Sequence, residues 1–178
     1  MPSRRKQRIR SESEMANAVL QHLNKRKVIA GREVKLGRGR LDVVAYDKRA
    51  KTFKIIECKL SSRPTSVAKT FGQAVYYLTS LEKRVPEFLD AASRKLPPMR
   101  YARWQEATND GKKITVAVYV ALTHKACMQS EFRALRKQYP QIGVIRVRPN
   151  GRCRNALRRA DGTADAKAAN ATPKTIRL

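Results

Sequence analysis

Acidic residues are scarce in this sequence of 178 residues. It carries 14 Asp and Glu residues against 40 Lys and Arg residues, which gives a formal net charge of +26 at pH 7. So large an excess of one sign excludes a neutral surface and indicates a polyanionic partner. We expect this partner to be nucleic acid, because phosphates that are neutralised by a protein release counterions and thereby drive association.

Cysteine and histidine are nearly missing as well. The three cysteines, Cys58, Cys127 and Cys153, are odd in number and widely spaced. They therefore do not form the paired framework of a small disulfide-rich protein, and they are typical of a reducing compartment. With only His22 and His124 to add, the sequence contains no zinc-ligand spacing.

Long apolar runs do not occur. The longest, residues 114–122, is far too short to cross a bilayer. The basic start MPSRRKQRIR is not followed by the apolar segment of a secretory signal. We therefore expect no membrane attachment and no secretion, with a cytoplasmic or nucleoid-associated protein. Residues 1–10 are predicted to form a basic arm that binds nucleic acid.

The pattern of apolar and polar residues along the chain predicts one α/β domain over residues 11–149, followed by a basic, mobile tail over residues 150–178. The predicted elements are, in chain order, a helix at 11–26, strands at 28–36, 40–46 and 52–60, a helix at 65–84, a helical insert at about 85–113, a strand at 114–122, a helix at 129–139 and a strand at 142–148. This αβββαβαβ order indicates a mixed sheet that is flanked by helices.

The second and third predicted strands bring two carboxylates together. If these strands form a hairpin with its turn centred between Arg49 and Ala50, paired residue numbers sum to 99 and Asp42 faces Glu57. Directly opposed side chains share one face, about 4.5–5.5 Å apart at Cβ. Two carboxylates so close raise the pKa of at least one, unless a cation lies between them. Such oxygen ligands suit Mg²⁺, which also accepts phosphate oxygens.

Lys59 belongs to the same face as Glu57, because strand side chains alternate. An ordinary salt bridge on a half-exposed strand would explain Glu57 and Lys59 by themselves. Together with Asp42, however, the pair indicates a site at which the ammonium group holds a water molecule or a developing phosphoryl charge.

The first helix offers one more acidic residue. Ser11 is the predicted N-cap and Glu14 completes a capping box. Glu12 lies near the centre of the helix's apolar stripe, where an unpaired carboxylate is costly. A position beside the metal site would account for Glu12, and a favourable interaction with the helix dipole is the alternative.

These segments resemble one nuclease superfamily. Glu12, the stretch GRGRLDVVAYD around Asp42, ECK at 57–59 and a helix with QAVYY at 73–77 are similar to the PD-(D/E)xK nucleases. The likeness is greatest to their small RecB-like, Mrr-like and Holliday-junction-resolvase members. It covers about residues 11–80, and Leu41 stands where the family name has proline.

The resemblance implies a restriction-endonuclease-like fold and a metal-dependent DNA endonuclease. Asp42, Glu57 and Glu12 would bind Mg²⁺, with Mn²⁺ as a substitute, Lys59 would assist the water, and Gln73 would reach the site from its helix. A Holliday-junction resolvase and a non-catalytic nucleic-acid-binding module remain open as alternatives. A homodimer is also expected, because one site per chain usually needs two chains to cut both strands.

DNA contacts are predicted for basic and aromatic side chains around this site. For residues 100–104, anchoring of a helix to the core is the alternative. The predicted contacts are Arg38, Arg40, Arg63, Lys69, Tyr77, Arg100, Arg103 and Trp104.

Overall fold

A computed structural model describes residues 8–96, 105–108, 112–155 and 171–177. The described helices are α1 (Glu12–Lys25), α2 (Pro64–Leu81), α3 (Val85–Lys95), α4 (His124–Cys127) and α5 (Ser130–Gln138). The strands are β1 (Ile29–Leu36), β2 (Gly39–Asp47), β3 (Thr52–Lys59), β4 (Lys113–Thr123), β5 (Gly143–Val147), β6 (Cys153–Asn155) and β7 (Lys174–Arg177). These elements confirm the predicted α/β class. None of the described helices is long and apolar enough to cross a membrane.

The strands form one seven-stranded mixed sheet in the order β1-β2-β3-β4-β5-β6, with β7 on β4. The first three strands form an antiparallel meander, whereas β3, β4 and β5 run parallel. Val116 pairs with Phe53 of β3 and also with Lys174 of β7, so β7 lies on the same edge of β4 as β5. Parallel strands share their direction, and the carboxyl ends of β3, β4 and β5 therefore meet at one edge of the sheet.

Helices cover both faces of the sheet, as alternating apolar side chains require. On one face α1 packs against Val43, Ala45, Ile56 and Cys58. On the other face α2, α3 and α5 pack against Val44, Tyr46, Phe53 and Ile55, among others. Strands β3 and β4 are buried on both faces, which explains their nearly continuous apolar sequences.

The hairpin of β2 and β3 has the predicted register. Val43 pairs with Ile56, and every further pair towards the turn also sums to 99. The turn is closed by Asp47, whose carboxylate accepts hydrogen bonds from the backbone N–H groups of Arg49 and Ala50 at 3.1 and 3.3 Å. A short carboxylate that bonds to the backbone two and three residues later is a common device in turns.

Pairing is interrupted at Asp42. The ladder between β1 and β2 omits Glu33 and Asp42, and Glu33 has a left-handed φ of 54°. The ladder between β2 and β3 ends at Val43. Leu41 faces α2 and Val43 faces α1, although residues two apart on a regular strand share a face. The side-chain alternation of β2 is therefore broken here although its register with β1 is kept, and β2 and β3 diverge into a fork.

The region after Pro149 differs from the predicted tail of residues 150–178. Its described parts include β6, which pairs with β5, and β7, which pairs with β4. Cys153 and Ile176 are buried in these strands. The prediction of a mobile tail is wrong for these residues. Strands of three and four residues are too short to show a period in the sequence.

Gly31 of β1 lies where a side chain has no room. A Cβ atom at this position would come within 2.4 Å of the carbonyl oxygen of Lys95. We expect Gly31→Ala to lower the free energy of unfolding by about 1–3 kcal/mol, because the backbone of α3 must move. Gly72→Ala is the control, since a Cβ there meets nothing within 4 Å, and alanine in a helix is favoured by about 1 kcal/mol. Urea unfolding measures both, and equal stability of the two variants would contradict this packing.

Candidate active site

The residues predicted to carry chemistry meet at the fork. Because β2 and β3 are antiparallel, the start of β2 lies beside the end of β3. This places Asp42 near Glu57 and Lys59. The first turn of α1 reaches the same edge of the sheet and contributes Glu12.

Asp42 lies in the fork itself. Its Oδ2 atom accepts a hydrogen bond of 2.7 Å from the backbone N–H of Cys58. The carboxylate thus takes the place of a ladder bond between β2 and β3. We predicted that Asp42 would stand directly opposite Glu57 on one face. The register was correct, but the break in alternation turns the carboxylate of Asp42 towards the backbone of β3. Burial raises the pKa of Asp42, and the hydrogen bond from Cys58 opposes this effect.

Glu57 is a carboxylate in a nearly dry position, with 9% of its surface exposed. Its Oε2 atom accepts a hydrogen bond of 3.3 Å from the hydroxyl group of Tyr77 on α2. Burial, followed by the negative charge of Asp42, raises the pKa of Glu57 to about 8. Without a cation, therefore, one of the two neighbouring carboxyl groups retains its proton near neutral pH.

Tyr77 was predicted to contact DNA, but its side chain is only 6% exposed. Its hydroxyl group lies 3.3 Å from Glu57 and 3.5 Å from the carbonyl oxygen of Arg40. A hydroxyl group has a single proton to donate, so Tyr77 can donate to only one of these oxygens at a time. Tyr77 therefore holds the carboxylate of Glu57 in place from behind.

Lys59 forms an ion pair with Glu12, with 2.7 Å between Nζ and Oε1. We predicted a buried Glu12, yet 47% of its side chain is exposed. A half-exposed pair of this kind contributes about 0–1 kcal/mol to stability. The ion pair matters for the position of Lys59, since Glu12 holds the ammonium group beside the carboxylates of Asp42 and Glu57.

The donor set suits a small hard cation. Among the described residues, no three His, Cys, Asp or Glu side chains are grouped closely enough to hold a metal ion. Glu12 is bound to Lys59, so its role as a third ligand stays a prediction. Asp42 and Glu57 remain, and Mg²⁺ is usually bound by one or two carboxylates together with water and phosphate oxygens. A cation between these carboxylates would also relieve the repulsion that raises the pKa of Glu57.

Gln73 lies on α2 one turn before Tyr77 and is half-buried. Residues four apart on a helix are neighbours on one face, so Gln73 is directed to the same side of α2 as Tyr77. Within the described part of the chain Gln73 makes no hydrogen bond, and its catalytic role stays a prediction.

Arg32 is a residue of the site that the sequence analysis missed. Its guanidinium group donates hydrogen bonds to Asn17 at 2.5 Å and to Ser13 at 3.1 Å, which ties β1 to α1. Its positive charge also opposes the rise that burial causes in the pKa of Asp42. The available signal was an arginine in the mostly apolar run VIAGREV.

Four of the predicted DNA contacts are exposed. Arg38 lies in the turn between β1 and β2, and Arg40 begins the part of β2 that leads to the fork. Arg63 immediately precedes α2, and Lys69 lies on it. Contact with DNA stays a prediction for all four. The other three predicted contacts lie outside the described residues: Arg100, Arg103 and Trp104.

Comparisons with protein-family models, curated proteins and solved structures found no match for this chain. The interpretation of the site therefore depends on its own geometry.

The raised pKa of Glu57 predicts how stability depends on pH. An unfolded glutamate has a pKa near 4.5, whereas Glu57 has one of about 8 in the folded protein. Between these values the folded state binds more protons, so the free energy of unfolding falls as pH rises, by at most about 1.4 kcal/mol per pH unit. We expect metal-free Glu57→Gln to show a smaller fall than the wild type between pH 5 and 8, and Mg²⁺ to reduce the fall in the wild type.

Urea unfolding at several pH values, in EDTA and in Mg²⁺, measures these slopes. The difference between wild type and variant isolates Glu57 from His22, whose pKa is lowered by burial. Identical slopes for the two proteins would contradict the assignment.

Proposed function

We propose that this protein is a metal-dependent DNA endonuclease of the PD-(D/E)xK type, with a restriction-endonuclease-like core. The observation that carries the proposal is the fork at which Asp42, Glu57 and Lys59 meet, with one carboxylate anchored by the backbone and the other held by a tyrosine. Two carboxylates that can hold a metal ion and one ammonium group that can donate hydrogen bonds suit metal-dependent phosphodiester hydrolysis.

Each residue has a distinct role in this proposal. Asp42 and Glu57 would hold Mg²⁺, which when bound polarises the phosphate and lowers the pKa of its water. The N–H group of Cys58 keeps Asp42 oriented, and the hydroxyl group of Tyr77 keeps one oxygen of Glu57 fixed. Groups that bond to a metal ligand in this way set its orientation and tune its affinity for the metal.

Lys59 acts as a donor and not as a base. A lysine ammonium group has three N–H donors and no acceptor. It can orient the attacking water and offset the negative charge that develops on the phosphoryl oxygens. Glu12 keeps Lys59 at this position through their 2.7 Å contact.

The charge of the chain accounts for substrate binding. A net charge of +26 holds a DNA backbone without reading its sequence, because phosphate contacts position a protein and base contacts specify the site. A carboxylate pair such as Asp42 and Glu57 weakens the binding of phosphates unless a cation is present. Its burial near a basic surface therefore favours a nuclease over a non-catalytic binding module.

Cleavage assays test the proposal directly. Wild type and the variants Asp42→Asn, Glu57→Gln and Lys59→Met are incubated with linear duplex, single-stranded and four-way-junction DNA in Mg²⁺, Mn²⁺ or EDTA. We expect cleavage by the wild type with either metal ion, none in EDTA, and a loss of at least about 100-fold in each variant. Asp90→Asn, an exposed carboxylate on α3, is the matched control and should retain activity.

The pattern of cleavage decides between the alternatives. Strong preference for the four-way junction would select a junction resolvase. Tight binding by wild type and variants without cleavage by any of them would select the binding module and overturn the proposal.

Tyr77 provides an independent test of the metal site. Tyr77→Phe removes only the hydroxyl group that holds Glu57, so we expect the Mg²⁺ concentration for half-maximal activity to rise by roughly 10-fold or more. Saturating Mg²⁺ should recover much of the activity. A titration of activity against Mg²⁺ measures this shift, and an unchanged midpoint with reduced maximal rate would show that the hydroxyl group does not act through the metal site.

A further inference from the structure

A pocket of about 580 Å³ opens beside the fork, at the carboxyl ends of β3, β4 and β5. Leu60, which lines it, directly follows Lys59. Met15, which also lines it, lies one helical turn after Glu12 on α1. The pocket therefore lies next to the Glu12–Lys59 ion pair.

The floor of the pocket is apolar, with side chains of Met15, Leu60 and Val147. One wall is the chain segment before α1, which is fixed by a hydrogen bond of 2.9 Å from the N–H of Ile9 to the carbonyl oxygen of Pro149. This bond joins the segment to the end of β5, so the wall is part of the fold of the described chain.

The rim of the pocket is cationic. Arg8, Arg10, Lys125 and Arg148 line it, and none of the described lining residues is acidic. A ligand that fits has an apolar flat part for the floor and negative charge on either side for the rim. A nucleotide within a strand has this character, because its base is flanked by two phosphates.

The distance from the pocket to the site corresponds to a few nucleotides. β5 lies two strands from β3, which is roughly 10 Å at the usual strand spacing. Phosphates follow each other at about 3.4 Å along the axis of a duplex strand and farther apart in an extended strand. A strand with its scissile phosphate at Asp42 and Glu57 can therefore reach the pocket within a few nucleotides.

We propose that this pocket takes one unpaired nucleotide of the DNA strand whose backbone lies across the Asp42–Glu57 site. The proposal rests on the proposed function and narrows its substrate class. A base within a duplex must first leave its stack, which costs a few kcal/mol. The preferred substrates are then strands with an unpaired nucleotide near the cleaved bond, such as flaps, branches or single strands.

The binding test uses oligodeoxynucleotides in EDTA, so that no cleavage occurs. A labelled strand whose positions are all abasic is compared, by fluorescence anisotropy, with the same strand carrying one adenine. We expect the single base to tighten binding by at least about fivefold, because its face leaves water for the apolar floor. Leu60→Gln, and Ile9→Gln as a second variant at the edge of the fold, should abolish this gain and leave binding of the abasic strand unchanged.

The rim is tested with two double variants, each of which removes two positive charges. Lys125→Gln with Arg148→Gln removes two charges at the pocket, and Arg133→Gln with Lys137→Gln removes two from the exposed side of α5. We expect the pocket variant to weaken binding of the single-base strand several-fold more than the α5 variant. Equal loss of affinity in the two double variants would overturn the proposal for the pocket, and so would a wild type that binds the abasic and single-base strands equally.

The two proposals fail in different ways. If the single base tightens binding, Leu60→Gln removes this gain in affinity and the protein cleaves no DNA, the proposal for the pocket stands and the proposed nuclease function is overturned. If the protein cleaves DNA with a metal ion but binds abasic and single-base strands with equal affinity, the proposed nuclease function stands and the proposal for the pocket is overturned. Cleavage of a flapped duplex no faster than of a blunt duplex of equal length would also count against the pocket.

Discussion

The candidate site depends on the hydrogen bond from the N–H group of Cys58 to the carboxylate of Asp42, 2.7 Å long. β2 and β3 separate at Val43 and Ile56, and separation of two central strands exposes backbone groups that need partners. The carboxylate of Asp42 supplies a partner at the fork. The same bond holds this carboxylate close to Glu57, so a requirement of the backbone and the geometry of the site are satisfied by one side chain.

The electrostatics of the fork follow from this placement. In a chain with a net charge of +26, the buried Glu57 lies beside the half-buried Asp42, and burial together with Asp42 raises the pKa of Glu57 to about 8. The cations near them are Lys59, which Glu12 holds, and Arg32, which bonds to α1. The nearest positive charges are thus already engaged with other partners, and the remaining negative charge makes the fork suitable for a divalent cation.

Local rules explain the parts that the sequence predicted well. Ser11 caps α1 by accepting a hydrogen bond from the N–H of Glu14, as the capping pattern indicated. The carboxylate of Glu14 accepts its reciprocal hydrogen bond from the N–H of Arg10 instead of that of Ser11, a shift of one residue that the pattern could not resolve. The hairpin register was predictable because a short polar turn between two alternating strands permits few pairings. Tyr77 was misjudged and Arg32 was missed. A polar side chain gives the same sequence pattern whether it faces solvent or a buried partner.

By itself, the sequence determined the charge of the protein, the order of its helices and strands, and the residue numbers that approach one another in the hairpin. These properties follow from composition and from periodicities that act over a few residues. The tertiary structure alone decided the interrupted pairing at Asp42, the ion pair of Glu12 with Lys59 and the contact of Tyr77 with Glu57. It also joined β6 and β7 to the sheet. Such contacts link residues far apart in the chain, and they exist only once both faces of the sheet are packed.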